Sequence, residues 1–288
     1  MKIAAFITLL TASTVAAGPP WIPRPVEKAD DETTSVAPLP EASSLPLPVN
    51  GTLPPPKNWA VALFPSFDSI DVVGPLNPLW YLAFSRHLNL YLLSTSLHPV
   101  PIAPLTPSLN THNSSFWWSM TPTHTYAAPP PDIEVLPVPG GAGARAGNVS
   151  AQIEFVRHMY PKLRYLISVC TGAGILARAG VLDGRRATTN KKAWGPITAM
   201  GPEVQWVSPA RWVVDGNIWS SSGVTAGQDL IFAFMEEVYG AEVTRSIQAT
   251  TEFERSRGMC DDPFAEIHGV EPTWTCVERG SNGSAPAF

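Results

Sequence analysis

Apolar runs of strand length alternate along the chain with stretches whose hydrophobic positions recur at helical spacing. Residues 59–64, Trp59-Ala60-Val61-Ala62-Leu63-Phe64, form a run closed by Pro65 that predicts a strand buried on both faces. A helix is predicted over residues 75–84. Further strand-like runs occupy residues 88–94, 133–137 and 165–169, the second of them leading into Pro139-Gly140-Gly141. Helices are predicted over residues 150–160 and over the small-residue stretch 172–179, which Gly180 closes. Between the second and third strands lies a proline-rich excursion, residues 97–131, carrying Phe116-Trp117-Trp118. Farther on, Asp215-Gly216 separates two strand-like runs in the manner of a hairpin turn. Thr225-Ala226-Gly227-Gln228 resembles a capping box, and Leu230, Ile231, Phe234, Met235 and Val238 keep one helical face until Gly240. A last helix is predicted over residues 241–256. Strands and helices alternating in this way predict an α/β fold, a single domain whose mainly parallel sheet is sandwiched between helices.

The flanks of that pattern differ from its middle. Lys2, the apolar run 3–10 and the small residues ending at Ala17 have the order of a secretory signal peptide, so residues 1–17 are expected to direct secretion. A proline-rich leader follows over residues 18–57, then the α/β domain over 58–257 and a C-terminal extension over 258–288. No run reaches the ~20 apolar residues a membrane span requires. Sequons at Asn50, Asn113, Asn148 and Asn282 agree with an extracellular glycoprotein, and all four lie in stretches read as tail or loop. The chain has 288 residues, of which 44% are hydrophobic, enough for a sizeable core. Its formal charge of −5, without a basic run, argues against nucleic acid as a partner. Of the three cysteines, Cys260 and Cys276 could close a short disulfide loop in the extension, which leaves Cys170 unpaired.

Cys170 ends a predicted strand and is followed at once by Thr171-Gly172-Ala173-Gly174, opening a helix. This places the thiol in a nucleophile elbow, where amides at the helix start are expected to favour thiolate over thiol. The histidines show no metal-ligand spacing, so no metal is implied, and Pro139-Gly140-Gly141-Ala142-Gly143 lacks the Lys-Ser/Thr of a phosphate loop. Lys191 and Lys192 read as a solvated charge pair.

Several motifs in one order then identify a resemblance. Phe64 to Pro75, Val138-Pro139-Gly140-Gly141, Val169-Cys170-Thr171-Gly172-Ala173, Leu176 to Thr189, Asp215-Gly216-Asn217 and Ser222 to Gly227 are similar to the ThiJ/PfpI superfamily within the class I glutamine amidotransferase-like, flavodoxin-like fold, in its isonitrile hydratase-like branch. The resemblance implies that Cys170 is the nucleophile, that Asp71 faces it from the loop after the first strand, and that Thr171 adjoins it. It also implies that Gly140 and Gly141 offer amides on the oxyanion side. The implied reaction is a lyase-type hydration of an isonitrile to an N-formamide, without cofactor, on a small-molecule substrate, by a homodimer. Thr171 stands where the proteolytic branch has a histidine, which argues against a Cys-His peptidase. Thr188-Thr189 is followed by Asn190, where bacterial isonitrile hydratases tend to have histidine. Glyoxalase-type carbonyl chemistry is an alternative, and so is a non-catalytic small-molecule-binding or redox-sensing member of the superfamily.

Overall fold

Because the central strands are covered on both sides, their successive side chains enter two different apolar layers, and the computed structural model, which describes residues 53–145 and 148–274, shows both layers. The strands are β1 (Asn58–Ala62), β2 (Asn89–Ser94), β3 (Val100–Pro101), β4 (Ser119–Met120), β5 (His124–Thr125), β6 (Val135–Val138), β7 (Tyr165–Ser168), β8 (Arg186–Ala187), β9 (Gln205–Trp206), β10 (Trp212–Asp215) and β11 (Ile218–Ser221). The helices are α1 (Ser69–Leu82), α2 (Ala142–Arg145), α3 (Ser150–Met159), α4 (Ala173–Arg178), α5 (Trp194–Thr198), α6 (Ala226–Val238), α7 (Ala241–Thr250) and α8 (Phe264–Ile267).

Seven strands form one sheet in the order β10-β11-β7-β6-β1-β2-β5. Every pairing in it is parallel except β10 with β11. Along β7, Tyr165 and Ile167 enter one layer with Leu79, Leu230, Phe234 and Ile247, from α1, α6 and α7. Leu166, between them, enters the other layer with Val156, Ile175 and Leu176, from α3 and α4. The ring of Phe234 centres the first layer, edge-on to Trp59, Tyr165 and Trp219 at centroid distances of 5.5, 4.9 and 5.2 Å. Among the described residues no helix is long and apolar enough to cross a membrane.

Several local expectations change. The helix expected over 75–84 begins at Ser69, because the side chain of Asp68 accepts the Ile70 N–H at 3.0 Å and caps it there. Asp71 therefore lies in the first turn of α1 rather than in a loop, and Pro75 lies inside the helix. The excursion 97–131 contributes β5 to the edge of the main sheet, while β3 and β4 form a ribbon of their own. Phe116 at its tip is 93% exposed. No capping box forms at Thr225, whose backbone is already helical and whose hydroxyl instead accepts from Arg211 at 3.2 Å. The last domain helix ends at Thr250, short of the expected 256.

The extension docks as far as it is described. The Arg211 N–H donates to Met259 O at 2.7 Å, Thr273 N–H donates to Ser208 O at 2.8 Å, and Ala265 is buried. The expected signal peptide, most of the leader, Asn50, Asn282 and Cys276 lie outside the described residues, and with Cys276 so does the Cys260–Cys276 pairing. Asn113 and Asn148 are exposed.

Candidate active site

The central strands β7, β6 and β1 are neighbours, so the loops at their C-terminal ends meet, and the predicted chemistry lies there. After β7 the chain turns abruptly. Cys170 has φ 57°, a left-handed backbone conformation that is costly for a residue with a Cβ and marks the elbow expected from the sequence. Three bonds hold it: Val169 N–H to Val138 O at 3.1 Å, Gly172 N–H to Val169 O at 2.9 Å, and Thr189 Oγ1–H to Cys170 O at 2.9 Å.

The loop after β6 threads between the elbow and α1. Gly140 N–H donates to Asp71 Oδ2 at 2.8 Å, and Gly141 N–H donates to Thr171 Oγ1 at 2.9 Å. Thr171 Oγ1 in turn reaches Gly141 O at 3.1 Å. A Cβ on Gly140 would come within 2.5 Å of Thr171 N and 3.0 Å of Asp71 Oδ2, so only glycine fits between them. Gly141, at φ 117°, would place a Cβ 2.4 Å from Asp68 N. The two glycines thus tie the acid to the elbow. Both N–H groups, expected on the oxyanion side, bind side chains in this structure.

The surroundings shift the thiol in the direction opposite to the one expected from the elbow. Cys170 is 5% exposed, and burial, followed by the neighbouring Asp71 carboxyl, pushes its pKa from 9.0 up to about 12. The Thr171 N–H and the Asn190 amide pull it down, and Asp68 adds a smaller upward push. Desolvation is the largest influence, and it holds the thiol towards its protonated form.

Asp71 is 1% exposed. Burial, with help from the charge of Asp68, raises its pKa from 3.8 to about 8 against the opposing hydrogen bond from Gly140 and the adjacent Cys170 thiol. Its Oδ1 has no donor in hydrogen-bond geometry although it is fully buried. A proton on that oxygen relieves the unpaired charge, so the carboxyl is mainly a neutral acid at pH 7. The structure therefore brings Cys170, Asp71, Thr171, Gly140 and Gly141 together, and burial holds both the thiol and the carboxyl towards their neutral forms.

Asn190 was not among the predicted site residues, yet its Nδ2 donates to Cys170 Sγ at 3.3 Å. Its Oδ1 accepts the Ala193 N–H at 3.2 Å, which fixes the rotation of the amide. The available signal was its place directly after Thr188-Thr189. Lys192 is exposed as expected, but Lys191 is buried, because its ammonium is enclosed by polar partners instead of water. Among the described residues no cluster of His, Cys, Asp and Glu could hold a metal ion.

The chain is similar to several known proteins. A curated isonitrile hydratase from Pseudomonas putida is 31% identical over 194 residues, covering 66% of this chain and 76% of that protein. A deglycase from Pyrococcus horikoshii is 34% identical over 109 residues, 38% of this chain and 61% of that one. The crystal structure of a ThiJ/PfpI family protein from Pseudomonas syringae superimposes with a TM-score of 0.59 at 25% identity, covering 78% of this chain and 84% of that one. The model of the DJ-1/PfpI family matches residues 60–237, which span the elbow, its acid and the glycine loop, and the chain belongs to that family.

Proposed function

We propose that this chain is a cysteine-dependent hydratase that adds water to a small isonitrile and releases the N-formamide. The observation that carries the reading is the direct neighbourhood of the buried Asp71 carboxyl, whose pKa burial raises, and the Cys170 thiol, a proton donor beside a nucleophile.

The terminal carbon of an isonitrile is both basic and electrophilic, so proton and sulfur must arrive at the same atom. Asp71 gives its proton to that carbon as the sulfur bonds to it, and takes up the S–H proton, leaving a thioimidate, R–N=CH–S–Cys. Water then adds to the thioimidate carbon, and its second proton passes to nitrogen. Finally the C–S bond breaks, the hydroxyl proton returns to sulfur through Asp71, and R–NH–CHO leaves. Asp71 begins and ends protonated, and the sum is R–NC + H2O → R–NH–CHO. The Asn190 amide and the Thr171 N–H stabilise charge on sulfur as it loses its proton.

Carbonyl chemistry, to which the deglycase likeness points, would need donors for an oxyanion in its first step. The Gly140 and Gly141 amides are engaged elsewhere, which favours the isonitrile, whose first step develops no oxyanion. The similarity to the Pseudomonas putida enzyme supports the same choice. Purified protein should convert an aliphatic isonitrile to its formamide, detected by mass spectrometry, and should turn over methylglyoxal poorly. Unchanged formamide production by folded Cys170→Ser would overturn the covalent mechanism. Secretory export is part of the same proposal, supported by the N-terminal pattern and the exposed sequons Asn113 and Asn148. A mass decrease of the natural protein on treatment with peptide N-glycosidase tests it.

A further inference from the structure

Asp262 lies beyond residues 60–237, the reach of the family match, yet its carboxylate is fully buried beneath the active-site loop. The Lys191 ammonium stands 2.8 Å from Asp262 Oδ2, and neither side chain has any exposed surface. Within hydrogen-bond distance of the same ammonium lie Thr188 Oγ1 at 3.0 Å, Thr189 O at 3.3 Å, Ala210 O at 3.0 Å and Ser222 Oγ at 3.1 Å, which share its three N–H groups with Asp262. The ammonium thereby binds the two residues immediately before Asn190. Thr189 holds Cys170 O from the same segment, and Asn190 presents its amide to Cys170 Sγ. Asp262 is itself steadied by the Phe264 N–H on its Oδ1 at 3.2 Å, at the entry to α8.

An ion pair of this kind is not explained by stability alone, since two buried charges lose their hydration and a packed apolar pair is often as stable or more so. What the pair does supply is geometry, because the five partners of one ammonium fix the loop on which the Asn190 amide rides. We propose that Asp262, acting through Lys191, is a positioning residue for the Asn190–Cys170 contact, so that the C-terminal extension completes the active site. The proposal rests on the reading of Cys170 as the nucleophile.

The groups facing Cys170 are Asp71 and Asp68 from the side of α1, the Thr171 amide from its own elbow, and Asn190. Of these only Asn190 depends on the Lys191 anchor. Loss of its N–H from the sulfur disfavours the thiolate and moves the pH dependence of thiol reactivity upward.

The test reads that dependence without any substrate, as the rate of Cys170 alkylation by iodoacetamide between pH 7 and 11, located by peptide mass spectrometry. Asp262→Asn leaves a buried ammonium unpaired and can fail to fold, so the principal variant is K191M/D262L, which replaces the pair by apolar side chains. Folded K191M/D262L is expected to be alkylated about tenfold more slowly at a given pH, its profile displaced upward by about one pH unit. Asn190→Ala should show the same displacement, and adding it to K191M/D262L should cause no further change. A wild-type profile in K191M/D262L, a wild-type profile in Asn190→Ala, or additive displacements in the combined variant would each overturn the proposal. Because turnover is not measured, failure of the hydratase reading remains separate: it shows as isonitrile hydration that survives Cys170→Ser.

Discussion

Replacing Asp71 by asparagine should make the protein more stable near neutral pH while removing its activity. The side chain keeps its shape, and the amide oxygen can still accept the Gly140 N–H that Asp71 Oδ2 accepts at 2.8 Å. What disappears is a protonation step. In the unfolded chain the carboxyl ionises at its ordinary 3.8, but in the fold burial holds the proton until about pH 8. A carboxyl whose folded pKa is raised contributes its full stability below the unfolded value, then loses it as pH climbs towards the folded one. At pH 7 the fold must therefore take up a proton against a difference worth about 4 kcal/mol, an upper limit for the gain in Asp71→Asn. The new amide N–H group meets the thiol in place of a carboxyl proton, and an imperfect bond there returns about 1–2 kcal/mol. A net gain of about 2–3 kcal/mol corresponds to a rise in Tm of roughly 4–12 °C for a domain of this size. Thermal unfolding of both proteins at pH 4 and pH 7, with turnover measured beside it, checks the account. The gain should be present at pH 7 and nearly absent at pH 4, with the rate lowered about 10²–10⁴-fold. An equal stability difference at both pH values, or a wild type that is the more stable at pH 7, would refute the neutral-acid assignment.

Other outcomes follow from the same geometry. Turnover should be steady through the neutral range and fall above about pH 8 as Asp71 loses its proton, measured as kcat/KM against pH; a limb that rises with thiol ionisation instead would restore the thiolate mechanism. Gly140→Ala must push its methyl group into Thr171 N, so urea unfolding should show a loss of at least about 2 kcal/mol together with loss of activity. Thr171→Val removes the partner of both the Gly141 N–H and C=O and should cost about 1–3 kcal/mol by the same measurement. Phe234→Ala, far from the chemistry, should destabilise by about 3–5 kcal/mol, since it empties the centre of an aromatic cluster, while leaving KM unchanged in the folded fraction.

Local patterns carried most of the architecture. The doubly buried strands, the helix over Ser150–Met159, the hairpin of β10 and β11, and the elbow at Cys170 are each written in contiguous residues, because strand burial, helical spacing and turn chemistry act over short stretches of chain. The start of α1 was misplaced because Pro75 obscured the Asp68 cap, and β5 was hidden because two residues in an irregular excursion give no periodicity. Which groups carry protons, and what touches the sulfur, was decided only by the tertiary structure. The upward shift of the Cys170 and Asp71 pKa values comes from exclusion of water by surrounding elements, which no local pattern records. Asn190 meets Sγ across twenty residues of sequence, and Lys191 is a buried cation rather than a solvated one because Asp262, in the C-terminal extension, folds back beneath it. Sequence set the positions of the reactive side chains along the chain, but desolvation and long-range contact set their ionisation and their neighbours.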